Sequence, residues 1–196
     1  MDGSLKHRSA QAQRYEDAQV WSADELVAQF GSKTKLEEQL RTEEIRPLGE
    51  GFYSANHLND FCAKVSYVAK YYEKSVLCGF TALRLHRLLD EEVNWVEVDT
   101  DNRWLKSNSL AQFHWVKPGQ LIGATHLQVY QTGVMVYDVE RALVSAYQSL
   151  AHKDFLEQAI SRYLATRPIN LSQIKYYDER LGTQVLKVIE QIKESH

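Results

Sequence analysis

Val20-Trp21-Ser22-Ala23-Asp24-Glu25-Leu26-Val27-Ala28-Gln29-Phe30-Gly31-Ser32-Lys33-Thr34-Lys35-Leu36-Glu37-Glu38-Gln39-Leu40-Arg41-Thr42 contains two helix starts and one helix stop in a single short run. Ser22 can cap a helix while Glu25, three residues on, reaches back to the Ser22 amide, and Gly31 supplies the positive φ that ends it. Ser32 is the next capping residue. Leu36 and Leu40 then fall four apart on one face, so the spacing predicts a second short helix immediately after a Gly-Ser turn. Two such helices form the core of a helix-turn-helix, which presents its second helix outward. Beyond them, Ile45-Arg46-Pro47-Leu48-Gly49-Glu50-Gly51-Phe52-Tyr53-Ser54 alternates apolar and polar residues around a Gly-Glu-Gly turn, the pattern of a small hairpin or wing. Helices, turn and hairpin in this order also occur in protein-binding modules.

The 196-residue chain has 23 Lys plus Arg against 26 Asp plus Glu, a formal charge of -3, which excludes a uniformly basic nucleic-acid coat. With 44% hydrophobic and 25% charged residues, and only 9 Gly and 3 Pro, it has globular rather than collagen-like or disordered composition. No apolar run approaches the roughly 18 residues of a membrane span, and Met1 to Glu16 is polar where a signal peptide needs an apolar centre. A cytoplasmic protein without membrane association is expected. Cys62 and Cys78 are too far apart for a Cys-x-x-Cys site and are expected as buried thiols in a reducing compartment.

Downstream, Asn56 to Ala69 has helical periodicity and is expected to link two halves of the protein. Tyr71 to Gly79 reads as a short strand leading into a helix over Phe80 to Leu89. Strands are expected at Trp95 to Asp99, Phe113 to Val116, His126 to Tyr130 and Val134 to Tyr137. From Asp138, a helix cap, the period changes: Val139, Ala142, Leu143, Ala146 and Leu150 share a face. Three more helices follow, over Phe155 to Thr166, over Ser172 to Leu181 behind Asn170, and over Thr183 to Glu194 after Gly182. The expectation is an α+β protein in two domains. Residues 1–60 form a winged helix-turn-helix with an N-terminal arm, and residues 61–196 an α+β domain with a mostly antiparallel sheet and C-terminal helices. Trp95, Trp104, Trp115 and Tyr130 fall in the sheet region and are read as core or cross-strand residues, with an exposed partner surface as the alternative.

Enzyme chemistry finds little purchase. Asp99 and Asp101 form an Asp-x-Asp at a strand end that could hold Mg2+ for nucleotidyl transfer, with Gly79-Phe80-Thr81 as a crude phosphate loop. Phe80 occupies the place where such transferases need a second small residue, so Asp99 and Asp101 read more simply as a strand entering a polar loop. No histidine pairs with another at ligand spacing. No catalytic residue, metal or cofactor is expected.

The block Val20 to Leu26, Leu36-Glu37-Glu38-Gln39-Leu40 and Ile45 to Tyr53 resembles the N-terminal winged-helix domain of AbiEi-type antitoxins. Val76-Leu77-Cys78-Gly79-Phe80-Thr81-Ala82-Leu83 is similar to that family's glycine-small-Ala-Leu helix start, and Val136 to Val144 to its Asp-x-Glu-Arg-Thr-Leu helix. The likeness runs from about Trp21 to about Lys193. It implies a transcriptional autoregulator binding inverted repeats in a double-stranded operator. It also implies an antitoxin opposing a nucleotidyltransferase-type toxin without a durable complex. On this reading Ser32, Lys33, Thr34, Lys35, Gln39 and Arg41 present the recognition helix, while Arg46 and the Gly49-Glu50-Gly51 wing touch the flanking backbone. Lys6, Arg8 and Arg14 follow it as an arm, and Gly79, Asp138, Glu140 and Arg141 mark the antitoxin domain.

Two features depart from the family pattern. Ser145 stands where a second acid often follows the Glu-Arg pair. Residues 1–61 hold 7 Lys plus Arg against 11 Asp plus Glu, whereas DNA affinity rests on cations that displace counterions. Glu37, Glu38, Glu43 and Glu44 crowd the second helix and its exit; Glu37 and Glu44 are expected on one face, with Lys35 and Gln39 elsewhere. A protein-interaction module that kept the fold but not DNA, or a nucleotidyltransferase-like enzyme, are the alternatives.

Overall fold

The computed structural model describes residues 19–42, 44–90, 95–129, 132–148 and 152–194. The arm cations Lys6, Arg8 and Arg14, together with Glu43, lie outside the described residues.

Strand β1 (Val20–Ser22) runs directly into helix α1 (Ala23–Phe30). Ser22 Oγ accepts from the Glu25 amide at 3.2 Å while Glu25 Oε2 accepts from the Ser22 amide at 2.7 Å, so the capping box is complete. Gly31, at φ 82°, ends α1 with its amide on the Val27 carbonyl at 2.8 Å. One residue later Ser32 Oγ accepts from the Lys35 amide and starts α2 (Lys33–Arg41). Helix α2 ends at its C-cap Thr42, whose hydroxyl donates to the Gln39 carbonyl. Glu44 therefore lies beyond the helix and does not share a helical face with Glu37.

Strands β2 (Ile45–Gly49) and β3 (Phe52–Ala55) form the hairpin, and β1 pairs antiparallel on the other edge of β3, giving the order β1-β3-β2. The turn between them holds three consecutive residues at positive φ: Gly49 at 119°, Glu50 at 54° and Gly51 at 77°. Leu26, Leu36 and Ile45 make a small core under α1, α2 and β2, separate from the main one.

Helix α3 (Asp60–Tyr71) begins later than the periodicity predicts, because Asn59 caps it through the Cys62 amide. Cys62, Ala63, Val65, Tyr67 and Val68 bury its inner face in the main core, which also takes in Val20 of β1. Five further strands form the second sheet: β4 (Val76–Leu77), β5 (Glu97–Thr100), β6 (Gln112–Trp115), β7 (Ala124–Val129) and β8 (Thr132–Tyr137), in the order β6-β5-β4-β8-β7. The expectation of a mostly antiparallel sheet is corrected here. β5–β6 and β4–β8 are parallel, while β4–β5 and β7–β8 are antiparallel. The pairing order inserts β4 between β5 and β8, and alternating apolar residues within each strand carry no information about that insertion.

Helix α4 (Gly79–Leu85) crosses from β4, and α5 (Val139–Tyr147), α6 (Lys153–Thr166), α7 (Leu171–Leu181) and α8 (Val185–Glu194) complete the α+β architecture. Asp138 caps α5 through the Arg141 amide, Asn170 caps α7 through the Gln173 amide, and Gly182 ends α7 at φ 70°. Both cysteines are buried thiols. Among the described residues no helix is long and apolar enough to cross a membrane. The division expected at residue 60 coincides with the start of α3, whose far end bonds back to β1 and α1. Lys70 Nζ donates to the Val20 carbonyl at 2.9 Å and pairs with Glu25 at 2.9 Å, and Tyr71 donates to the same Glu25 carboxylate.

Candidate nucleic-acid interface

Helix α2 packs through Leu36, 5% exposed, and the half-buried Leu40. At about 100° per residue, the pole opposite Leu36 holds Thr34, Glu38 and Arg41, with Glu37 on one flank and Lys35 on the other. Lys33 stands beside Leu40, at the edge of the packed face. Lys33, Thr34, Lys35 and Arg41 are exposed, Gln39 is half-buried, and Ser32 is occupied in capping. The outer face of α2 thus mixes signs: its cations are in solvent, but Glu37 and Glu38 share that surface.

Arg46 and part of the hairpin tip, by contrast, are engaged by other segments of the molecule. Arg46 Nη2 is 2.6 Å from Asp60 Oδ1 and donates to the Leu58 carbonyl at 3.0 Å, so Arg46 clamps the hairpin to the start of α3. At the hairpin tip Glu50 Oε1 accepts from the Ser109 hydroxyl at 2.9 Å and its amide at 3.3 Å. A Cβ on Gly49 would stand 3.4 Å from both Leu110 Cδ2 and Ser109 Oγ, whereas one on Gly51 would meet open space. The tip leans on the loop after β5, and Gly51 marks its free side.

Gly79, Asp138, Glu140 and Arg141, expected to mark an antitoxin domain, gather around α5, where each holds a structural position. Gly79, at φ 52°, starts α4 with its amide on Ser145 Oγ, and a Cβ there would come within 2.4 Å of Glu97 Oε2. That carboxylate accepts from the Phe80 amide at 2.6 Å, and burial raises the Glu97 pKa. Asp138 also accepts from the Tyr177 hydroxyl at 2.6 Å, Glu140 from the Tyr163 hydroxyl at 2.8 Å, and burial pushes both phenols up to about 12.

Arg141, 1% exposed, is the largest fully buried side chain of the described residues. Its Nη2 lies 3.5 Å from Asp99 Oδ2 and its guanidinium 4.1 Å from the centroid of the Tyr137 ring, while Tyr137 donates to the same Asp99 oxygen at 2.8 Å. Among the described residues Arg141 Nε and Nη1 have no hydrogen-bond partner. Burial, with Asp99 and Glu97 nearby, raises the Cys78 thiol well above its ordinary value. Sequence reasoning gave Asp99 a metal or a strand terminus and did not connect it to Arg141. Asp99 faces this arginine while Asp101 stands exposed in the following loop. Among the described residues no group of three His, Cys, Asp or Glu is placed to hold a metal ion.

Two tryptophans expected in the core are instead on the surface: Trp104 is 76% and Trp115 52% exposed.

The arrangement is that of an α+β protein whose small helix-and-hairpin unit is tied to a mixed five-stranded sheet. No family model matches the chain, and no curated protein does. Among solved structures it is similar to the RV2827C protein from Mycobacterium tuberculosis. That match has 14% identity and a TM-score of 0.49, and covers 92% of this chain and 79% of the other.

Proposed function

We propose that residues 20–55 are a winged helix-turn-helix and that the protein is a DNA-binding transcriptional autoregulator. Its second domain acts as an antitoxin opposing a nucleotidyltransferase-type toxin. One observation carries the DNA half: α2 is held by Leu36 alone among its fully buried residues, leaving Lys33, Thr34, Lys35 and Arg41 in solvent. The element order β1-α1-α2-β2-β3, with β1 and β2 flanking β3, is the frame in which a winged helix carries such a helix. The antitoxin half rests on the family resemblance of the Gly79 and Asp138-Val139-Glu140-Arg141 segments. Arg46 and the Glu50 tip are anchors in this reading, and Gly51 faces the duplex flank.

Fluorescence anisotropy with duplex DNA from the protein's own promoter tests it. Lys33→Ala, Lys35→Ala and Arg41→Ala together should abolish low-salt binding and flatten its salt dependence. Glu37→Gln with Glu38→Gln should strengthen binding by removing charges of the phosphates' sign. Undiminished binding by the triple variant eliminates α2 as the reader. Glu37 and Glu38 on the exposed face favour the second reading, a protein-interaction module. That reading requires no duplex affinity in the parent protein and no gain from the glutamine pair. For the antitoxin half, coexpression should restore the growth of cells poisoned by a nucleotidyltransferase-type toxin from the same operon, and growth that stays arrested would remove this half of the reading.

A further inference from the structure

We infer that the end of the second sheet where β5 and β6 finish is a binding site for single-stranded nucleic acid, separate from α2. β5 and β6 are parallel, with Thr100 opposite Trp115, so both chains leave the sheet on the same side. Trp115 projects there from the outermost strand, 52% exposed. The chain leaving Thr100 turns at once: the Asn102 amide donates to Thr100 Oγ1, Asn102 Oδ1 accepts from the Trp104 amide at 3.1 Å, and the Leu105 amide reaches the Asn102 carbonyl at 3.2 Å. These bonds order the backbone that carries Trp104, whose side chain is exposed, the residue as a whole at 76%. Two large indoles are therefore presented to water, one on the edge strand at Trp115 and one on the hydrogen-bonded turn that follows its partner strand, a backbone that needs little rearrangement to bind.

The charge around them indicates the ligand. Arg103, Lys106, Lys117 and His114 are exposed in the same segment, against Asp101 within it and Glu50, which reaches it from the hairpin tip at Ser109, so cations prevail here although the chain as a whole has a net charge of -3. No ion pair engages Arg103, Lys106 or Lys117 within the described residues. The Arg103 guanidinium lies over the Trp104 ring, 4.7 Å from its centroid. One face of that indole thus carries a cation, and its exposure leaves the other for a base. Exposed aromatic rings interleaved with free cations are what single strands require, because bases stack on the rings while phosphates meet the charges. A duplex, its bases already stacked, gains nothing from the indoles. An acidic polypeptide would meet the cations but offer no rings to stack.

The test uses the full chain and a fluorescein-labelled dT oligonucleotide, with the same-length duplex and polyglutamate as competitors. Trp104→Ala and Trp115→Ala should each weaken oligonucleotide binding about tenfold, with Trp104→Phe retaining most of it and circular dichroism unchanged. The intrinsic tryptophan fluorescence should be quenched on binding. Absence of binding at low salt, or full affinity in both alanine variants, overturns the site. Competition by polyglutamate as strong as by unlabelled dT makes it a docking surface for acidic protein and overturns the nucleic-acid assignment. Losses that follow Lys33, Lys35 and Arg41 rather than the tryptophans place the single strand on α2 and overturn it as well. Failure of duplex binding by α2 leaves this result independent.

Discussion

Glu50, at the tip of the β2–β3 turn, accepts two hydrogen bonds from Ser109, at 2.9 Å from its hydroxyl and 3.3 Å from its amide, across 59 residues of sequence. The tip of the small unit is thereby joined to the loop between β5 and β6, which also carries Trp104. Neighbouring Asn108 continues the connection inward: its Nδ2 donates to the Tyr67 hydroxyl at 3.2 Å, and its Oδ1 accepts the Leu110 and Ala111 amides. Glu50 also sits at φ 54°, a conformation that costs an ordinary residue free energy.

Glu50→Ala is therefore expected to loosen the tip and the 107–111 loop together. Hydrogen exchange should rise in both segments and nowhere in α7 or α8. The global stability loss should be about 1 kcal/mol, because the bonds are exposed. A rise confined to the hairpin would mean that the two segments do not depend on each other.

Arg46 is held between Asp60 and the Leu58 carbonyl. Arg46→Ala should lower stability by about 1 kcal/mol and shift duplex affinity far less than Arg41→Ala does. A larger loss of affinity for the Arg46 variant than for the Arg41 variant would return Arg46 to the DNA surface. Chemical denaturation and anisotropy on the same samples decide it.

Removing one member of the buried pair should be severe. Arg141→Ala leaves Asp99, 6% exposed, without its cation, at an expected cost of about 3–5 kcal/mol. Asp99→Asn with Arg141→Met removes both charges while keeping similar volumes, and should recover much of that loss. Additive effects in this double-mutant cycle would show that the pair is not coupled.

Gly79→Ala forces a residue with Cβ into φ 52° against Glu97 Oε2. The backbone alone should cost about 1–3 kcal/mol. Adding Glu97→Gln cannot relieve the strain, since the amide fills the same volume, whereas Glu97→Ala should relieve the clash in part. Thermal melts of the three variants check the order.

His86 gives stability a pH dependence of defined sign. Nε2 lies 2.7 Å from the Tyr137 carbonyl, and burial lowers the imidazole pKa below its ordinary 6.5. Between the folded and unfolded values the unfolded chain binds the extra proton, so this contribution is present above 6.5 and is lost as pH falls through that window. Denaturant midpoints should drop from pH 7.5 to 5.5, and His86→Gln should flatten that drop. An NMR titration midpoint for His86 above 6.5 would contradict the sign.

Much of the local architecture was legible because its causes are local. Ser22 with Glu25, Gly31, Ser32, Asp138, Asn170 and Gly182 each act within three or four residues, so a linear reading finds the same bonds that the folded chain makes. Strand β1 escaped notice because three residues are too few to show alternation, and its partner Tyr53 lies far along the chain. For Trp104 and Trp115 the choice between core and exposed surface is not legible in sequence, because strand composition favours aromatic residues without telling which side the sheet leaves open. Arg141 read as a family marker; its partner Asp99 belongs to a strand 42 residues earlier, a distance no motif spans.

The helix caps, the two consecutive short helices and the mixed charges of the second were determined by sequence alone, since each depends on residues within a turn or two. Tertiary structure decided the parallel strand pairs, the clamps on Arg46 and Glu50, the burial of Arg141 and the exposure of the two tryptophans. Those depend on which distant segments share a surface, and that is set by the packing of the whole chain against water rather than by any residue's neighbours in sequence.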